Sequence, residues 1–262
     1  MTIARPRIAA DLRSWLALGF FVVTYVAFDR VEEAIHHPLA QTLGLHMIQA
    51  GAMAPVPYGV LMIVRLALDV ACAILAIVAL GSAHVSPSHQ SAGSASLHGG
   101  GWLAFDFVGA MGEELAGRVA VLLVAQPLIG RRGAILASGV LFAGIHLGNP
   151  GVTGVWLTRL FLQGLLLAYA VYRTGSFWWS TGYHTGWNWA SAPLFGAAGS
   201  GYLNQGHLFD FMPTGADWIT GGAVGPEGSV FAFVAMLAAL GLLILMPGKM
   251  TGGEDTARAT QN

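Results

Sequence analysis

Charged residues are scarce in this chain. Asp, Glu, Lys and Arg make up only 10% of the 262 residues, whereas hydrophobic residues make up 55%. A soluble domain carries roughly 25% charged residues on average, so much of the exterior of this chain must face lipid instead of water. The net charge of −1 leaves no basic surface of the kind that nucleic acid requires. Nucleic-acid binding is therefore excluded as a function.

Cysteine is almost absent as well. The chain has one, Cys72, which excludes an internal disulfide bond. Glycine is abundant instead, with 36 residues, and small residues let helices pack closely in lipid. The length predicts a single integral membrane domain over residues 1–247, followed by a polar tail at 248–262 that we expect to be disordered.

Apolar runs that can cross roughly 30 Å of hydrocarbon recur along the chain. Between them, the stretches 81–100 and 199–228 are predicted to be loops. The spans are predicted at Trp15–Phe28, Tyr58–Leu80, Trp102–Ile129, Ala134–Leu147, Val152–Tyr172, Phe177–Ala198 and Val230–Met246. The fold class is therefore all-α, a polytopic membrane helix bundle of about seven or eight transmembrane helices.

The distribution of Lys and Arg tests this topology, because these residues concentrate in cytoplasmic loops. Arg131-Arg132, Arg173 and Lys249 fall on one side of the predicted bilayer. The N-terminal arginines belong on that side only if the number of crossings is even. We therefore expect a weak extra crossing between residues 36 and 56, in a multi-pass protein of the plasma or inner membrane.

Four charged residues inside one apolar run, Asp106, Glu113, Glu114 and Arg118, need an explanation, because each buried charge costs about 3 kcal/mol there. Glu114 and Arg118 are four residues apart on one helical face and can form an ion pair. Glu113 lies about 100° round the helix. This spacing neutralises one carboxylate and leaves the other available as a general base. The alternative interpretation is an ion pair that only fixes helix packing.

Two further polar positions follow at helical spacing on separate apolar runs. His146 comes four residues after Phe142, and Asn188 comes four residues after His184. Together with Glu113 they supply a carboxylate, two imidazoles and an amide donor, a set that suits the activation of water and the stabilisation of an oxyanion. The alternatives are a helix cap for His146 and interhelical hydrogen bonds for the other pair.

These three motifs, E-E-x-x-x-R, F-x-x-x-H and H-x-x-x-N, occur in this order on separate helices. They resemble those of the CPBP intramembrane protease family, which includes the type II CAAX prenyl endopeptidases and the bacterial Abi-type proteins. The stretch Asp217–Gly228 also resembles a segment of many bacterial members, so the similarity covers roughly residues 102–228. The resemblance implies an intramembrane endopeptidase that hydrolyses a peptide bond of a membrane-associated protein or peptide, which is lipidated in the CAAX case.

The resemblance also implies roles for individual residues. Glu113 and His146 would activate a water molecule, and His184 and Asn188 would stabilise the oxyanion. Glu114 and Arg118 would order the site.

Metal dependence stays open at this stage. The chain has no H-E-x-x-H motif, which would place two zinc ligands and a base on one helix. Glu113, His146 and His184, from separate helices, are nevertheless ligand types that bind Zn²⁺. The sequence is therefore compatible with either a glutamate protease or a metalloprotease.

Two other functions remain as alternatives. One is a non-catalytic membrane protein that binds a partner, in an immunity or chaperone-like role. The other is a transporter that uses Glu113, His146 and His184 as a proton or cation relay, but no inverted repeat of the kind common in transporters is visible in the sequence. Two remaining polar pairs inside spans, Arg65 with Asp69 and Arg159 with Gln163, are interpreted as packing contacts.

Overall fold

The computed structural model of the protein describes residues 56–175 and 177–245. The predicted first span, Trp15–Phe28, the extra crossing expected between residues 36 and 56, and the tail at 248–262 lie outside these residues. The number of crossings and the extent of the membrane domain therefore stay predictions. What the described residues do show is that the chain is predominantly helical.

Helices make up 75% of the described structure, which agrees with the predicted all-α membrane class. Seven α-helices are present in the described residues: α1 (Val56–Ala79), α2 (Ala92–Glu114), α3 (Val121–Ile145), α4 (Gly154–Thr174), α5 (Trp178–Trp189), α6 (Asp217–Thr220) and α7 (Val230–Leu245). Two π-helical turns, Leu115–Ala120 and Ala190–Leu194, and two 3₁₀ turns, Gly222–Val224 and Pro226–Gly228, complete the helical elements there.

The prediction of a loop over 81–100 is wrong. Strand β1 (Ala83–Pro87) occupies its first part, and helix α2 begins at Ala92. The Ser91 hydroxyl accepts a hydrogen bond from the backbone N–H of Ser94 at 3.2 Å, which caps the helix. The Gly- and Ser-rich composition favours a loop on local propensity. The Ser91 cap opposes that preference, and so does a 2.9 Å hydrogen bond from the indole N–H of Trp189 to the carbonyl of Gly99 within α2.

The connection at 199–228 also contains regular structure. Strand β2 (Phe209–Pro213) pairs antiparallel with β1, from Ala83 opposite Pro213 to Pro87 opposite Phe209. The 3₁₀ turns and α6 follow in the same connection. The two segments predicted as loops therefore pair with each other in a two-stranded sheet.

A nearly continuous helical run links α2 to α3 through the π-helical turn Leu115–Ala120. Within α3, Gly130 has φ of 71° and ψ of 171°, which interrupts the helix directly before Arg131-Arg132. Glycine adopts positive φ without steric cost. The break at Gly130 coincides with the end of the predicted span Trp102–Ile129.

Helices α1 and α5 approach each other closely, because α5 has glycine where they cross. A Cβ atom at Gly186 would lie 2.8 Å from the Cα atom of Ile63, and one at Gly182 would overlap the carbonyl of Gly59. Small residues at such crossings are typical of membrane helices. The main hydrophobic core lies along this contact and includes Leu66, Ile77 and Trp179.

Three helices in the described residues are long and apolar enough to cross a membrane. They are Gly59–Ala79, Leu128–Ile145 and Gly154–Thr174, while Val230–Leu245 is apolar but shorter. Helix α2 carries Asp106, Glu113 and Glu114, and α5 has only 12 residues. The structure thus supports a membrane protein, and the full span count remains a prediction.

Candidate active site

A buried ion pair forms the base of the site. The Glu114 carboxylate lies 3.1 Å from Nε of Arg118, and neither side chain is exposed to solvent. The predicted pairing across four residues is therefore confirmed. The other carboxylate oxygen of Glu114 accepts a hydrogen bond from Nδ1 of His184 at 3.0 Å. Glu114 thus joins α2 to α5 and fixes one nitrogen of the His184 ring.

Phe142 packs between the cation and both imidazoles. The Arg118 guanidinium lies 3.9 Å above the centre of the Phe142 ring, which is a favourable cation–π geometry. The rings of His146 and His184 meet the same phenyl ring edge-on, with centroids 4.8 Å and 5.7 Å away. The aromatic residue of the second motif therefore has a physical role, because it separates and orients the polar groups.

The π-helical turn Leu115–Ala120, which contains Arg118, is held by a hydrogen bond from a neighbouring helix. In a π-helical turn the backbone hydrogen bonds are displaced from the α-helical pattern, and such turns are frequent at functional sites. The Ser138 hydroxyl of α3 donates a 2.7 Å hydrogen bond to the carbonyl of Gly117 inside this turn. Ser138 therefore connects α3 to the segment that places the ion pair.

Glu113 differs from its neighbour Glu114 in exposure. Its side chain is 41% exposed, and one of its oxygens lies 4.0 Å from Nε2 of His184. That inward oxygen is buried and has no hydrogen-bond partner among the described residues. A separation of this size exceeds a direct hydrogen bond and suits a bridging water. Glu113 is thus the free carboxylate that the sequence predicts.

His146 lies at the C-terminal end of α3, where its backbone caps the helix. Its Nδ1 is 2.7 Å from the carbonyl oxygen of Phe142. Because a carbonyl only accepts, Nδ1 must donate this hydrogen bond. In the neutral ring, Nε2 then carries a lone pair that can accept a proton. His146 is buried beside Trp156, whose ring centroid is 5.8 Å away.

Asn188 and Asp106 are less directly connected. Asn188 is partly exposed and lies one turn after His184 on α5. Its position on the same helical face as His184 is the observation that places it near the site. Asp106 lies on α2, seven residues before Glu113, and one of its oxygens is buried without a hydrogen-bond partner in the described residues. The structure directly joins Glu114, Arg118 and His184. Glu113 lies 4.0 Å from His184, and His146 is connected through Phe142.

The interpretation of Arg159 with Gln163 as a packing pair needs correction. The partner of Arg159 is Glu227, whose carboxylate lies 3.2 Å from Nη1 of Arg159 with both side chains buried. These residues are far apart in sequence, so helical spacing gives no indication of the contact. One signal was available, because a buried arginine in a span requires an acidic partner and few acids remain in the chain.

Similarity to known proteins agrees with this geometry. Residues 95–190 match the model of the family described as Type II CAAX prenyl endopeptidase Rce1-like. The predicted family resemblance is confirmed. The matched range contains Glu113, His146, His184 and Asn188, whereas Glu227 lies beyond it. No curated protein and no solved structure matches the chain.

The matched family is one of CAAX-type endopeptidases, and the match covers residues 95–190, which is less than half of the chain.

Metal binding is not decided by the contacts of the described residues. Among them, no group of three or more His, Cys, Asp and Glu side chains is arranged to hold a metal ion. The Nδ1 atoms of His146 and His184 have hydrogen-bond partners within the protein, which leaves each Nε2 available and is also the usual arrangement of metal-bound imidazoles. Metal dependence therefore stays a prediction, with Glu113, His146 and His184 as the candidate ligands.

Proposed function

We propose that this protein is an intramembrane endopeptidase in which Glu113 and His146 activate water. The observation that carries the proposal is the pair of neighbouring carboxylates with opposite environments. Glu114 is fully buried and bound to Arg118 and His184. Glu113 is 41% exposed, and its inward oxygen has no hydrogen-bond partner among the described residues. Glu113 is thus available for chemistry, and Glu114 is occupied with holding the site.

The hydrogen bonds of the two imidazoles support different roles for them. His146 donates from Nδ1 to a carbonyl, which leaves Nε2 able to accept a proton from water. His184 directs Nδ1 to Glu114 and Nε2 toward the space beside Glu113. For His184 to donate to an oxyanion from Nε2, its ring must carry both protons, and the adjacent carboxylates stabilise that form.

The proposed reaction needs water and the peptide substrate in addition to the groups of the protein, and no other reactant. Glu113, assisted by His146, removes a proton from water, and the resulting hydroxide attacks the carbonyl carbon of the scissile peptide bond. The tetrahedral oxyanion is stabilised by His184 and Asn188. The proton then passes to the leaving nitrogen, the C–N bond breaks, and the products are a carboxylate and an amine.

The substrate class follows from the family and from the membrane setting. We propose a membrane-associated protein or peptide, with a prenylated C-terminal CAAX segment as the first candidate. The enzyme would be a multi-pass protein of the plasma or inner membrane, where the apolar helices bury the site within reach of a lipid-anchored chain.

The test compares membrane peptidomes of cells that produce wild-type protein or Glu113→Gln protein. We expect cleavage fragments in the wild-type sample that are missing from the variant, because glutamine cannot accept a proton from water. Asp217→Asn is a matched control, since Asp217 is an exposed acid outside the site. Identical peptidomes from wild-type and Glu113→Gln cells would contradict the proposal.

Purified protein in lipid vesicles then defines the substrate and the metal question. A fluorogenic peptide ending in a farnesylated CAAX sequence is compared with the same peptide without the prenyl group. Cleavage of only the farnesylated peptide supports the CAAX class, and failure to cleave either peptide contradicts it. Addition of a chelator is expected to leave the rate unchanged, and a rate restored only by added Zn²⁺ would contradict catalysis by protein groups alone.

A further inference from the structure

Glu227 uses both of its carboxylate oxygens inside the protein. One oxygen pairs with Nη1 of Arg159 at 3.2 Å, and the other accepts a hydrogen bond from the backbone N–H of Ser200. The side chain is 3% exposed. Burial of a charge pair is costly, and it is tolerated when further hydrogen bonds satisfy the remaining atoms. Glu227 thus links helix α4 to the connection after α5.

Ser200 continues this link toward His146. It has a positive φ of 50°, which is uncommon for a residue other than glycine. Its carbonyl accepts a 3.0 Å hydrogen bond from the side chain of Asn149. The backbone N–H of Asn149 in turn donates to the carbonyl of His146 at 3.1 Å. Two peptide groups and one amide side chain therefore connect the Glu227 carboxylate to the residue that ends α3.

The loop between α3 and α4, residues 147–153, contacts the same connection at two more points. The backbone of Gly201 lies against the carbonyl of Pro150. A Cβ atom at Gly151 would lie only 2.6 Å from the side chain of Ala223. These close approaches mean that a displacement of the connection would be transmitted to the loop, and through it to His146.

Arg159 also lies close to two tryptophans, each of which is next to one of the site histidines. It lies one turn after Trp156, whose ring meets the His146 ring edge-on. Its guanidinium is 4.9 Å from the ring centre of Trp187, and Trp187 follows His184 by one turn on α5. The Arg159–Glu227 pair is therefore connected to the surroundings of both histidines.

We infer that the buried Arg159–Glu227 pair is a positioning unit that holds His146 at its working place relative to Glu113 and His184. This inference rests on the proposed function, because it assigns the pair a role in the same reaction. Neither residue is expected to touch the substrate. A shift of about 1 Å in a catalytic group can cost about 100-fold in rate, so a small displacement of His146 is enough to be measured.

Glu227→Gln is the variant that tests the inference most directly. Glutamine has nearly the same shape but one acceptor oxygen where glutamate has two, and both partners of Glu227 are donors. One of the two contacts is therefore always lost. We expect kcat toward the farnesylated fluorogenic peptide to fall about 100-fold with KM unchanged, and amide hydrogen exchange to accelerate in residues 147–153.

The double variant Arg159→Met/Glu227→Leu separates positioning from stability. Replacing a buried ion pair by apolar side chains of similar size often preserves stability or increases it. We expect a melting temperature near that of the wild type, while kcat stays low and exchange in 147–153 stays fast, because the Ser200 contact is not restored. Recovery of kcat together with the melting temperature would overturn the inference.

Asp69→Asn is the matched control, because Arg65 and Asp69 form a second buried pair within α1. We expect it to lower the melting temperature without changing kcat or exchange in 147–153. Wild-type exchange in that loop for Glu227→Gln would also overturn the inference. The exchange measurement does not depend on turnover. Failure of the proposed function shows separately, as Glu113→Gln protein that cleaves the peptide as well as the wild type.

Discussion

Two helices face each other across the site, and they are packed very differently. In α5, every residue from Trp179 to Trp187 is buried. In α2, which has 23 residues, only Ala110 and Glu114 are buried in the described structure. Helix α5 carries His184, while α2 carries Glu113 and Glu114. One side of the site is thus a packed core helix and the other is a largely exposed one.

This difference in burial suits the two helices to different tasks, because α5 can hold a side chain in a fixed orientation and α2 can leave one accessible. A buried imidazole on a rigid helix keeps its orientation, which pre-organised hydrogen bonding requires. In the proposed reaction, the carboxylate on the exposed helix is the one that the substrate can reach, since the Glu113 side chain is 41% exposed. Glu114 is the residue where the two properties meet, because it lies on α2 but is buried against Arg118 and His184.

The largest expected effect comes from Glu114→Ala. Removing this carboxylate leaves Arg118 buried without its ionic partner, and breaking such a pair costs about 3–5 kcal/mol. We expect a large fall in the melting temperature of the purified protein, together with loss of cleavage, because His184 also loses its hydrogen bond.

Glu113→Ala is the matched control for stability, since it removes the adjacent carboxylate from the same helix. Its side chain is 41% exposed and has no short ion pair. We expect an unchanged melting temperature and a complete loss of cleavage. Equal melting temperatures for the two variants would remove the distinction between a structural and a reactive glutamate.

A smaller effect is expected from adding one methyl group to each helix. In Gly186→Ala, the new Cβ atom would lie 2.8 Å from the Cα atom of Ile63, and such overpacking costs about 1–3 kcal/mol. In Gly109→Ala on α2, the new atom has none of the described residues within 4 Å. Alanine is there a better helix former by about 1 kcal/mol.

Thermal unfolding in detergent measures both changes. We expect the melting temperature to fall for Gly186→Ala and to rise slightly for Gly109→Ala. If the two substitutions shifted it in the same direction, α5 would not be the more tightly packed helix.

The smallest expected effect concerns Ser138→Ala. This substitution removes the 2.7 Å hydrogen bond to the carbonyl of Gly117, and a buried bond of this kind contributes about 1 kcal/mol. We expect a small fall in the melting temperature and a larger relative fall in kcat, because the π-helical turn places Glu114 and Arg118.

Thr158→Ala is the comparison for Ser138→Ala. Within the part of the chain that the structure describes, the Thr158 hydroxyl donates to the carbonyl of Gly154 in its own helix. We expect neither stability nor cleavage to change for this control. A Ser138→Ala protein with wild-type kcat would mean that the π-helical turn keeps its shape without help from α3.

Local spacing explains which parts of the site could be predicted from the sequence. Residues four apart on a helix are neighbours whatever the tertiary fold, so the Glu114–Arg118 pair and the Arg65–Asp69 pair follow directly from the sequence. The free state of Glu113 follows from the same geometry. Apolar run length likewise predicted the helices around residues 58–80 and 152–172, which the structure places at Val56–Ala79 and Gly154–Thr174.

Contacts between distant segments could not be predicted in this way. The Arg159–Glu227 pair and the hydrogen bond from His184 to Glu114 depend on how separate helices pack. The pairing of β1 with β2 was missed because each strand is only five residues long. Such short strands in Gly- and Ser-rich segments resemble loops in the sequence. Whether they form depends on pairing with a neighbouring strand more than on the preferences of their own residues.

The π-helical turn Leu115–Ala120 has a consequence for the chain length at this point. A π-helical turn holds one residue more than the α-helical turn it replaces. Loss of one residue, such as Ala116, would return the run to α-helical pitch and leave α2 and α3 close to their present alignment. Glu114 and Arg118 would then be three residues apart instead of four, and the Gly117 carbonyl that accepts the Ser138 hydrogen bond would change its position. The number of residues in this turn is therefore as firmly constrained as the identity of the motif residues on either side of it.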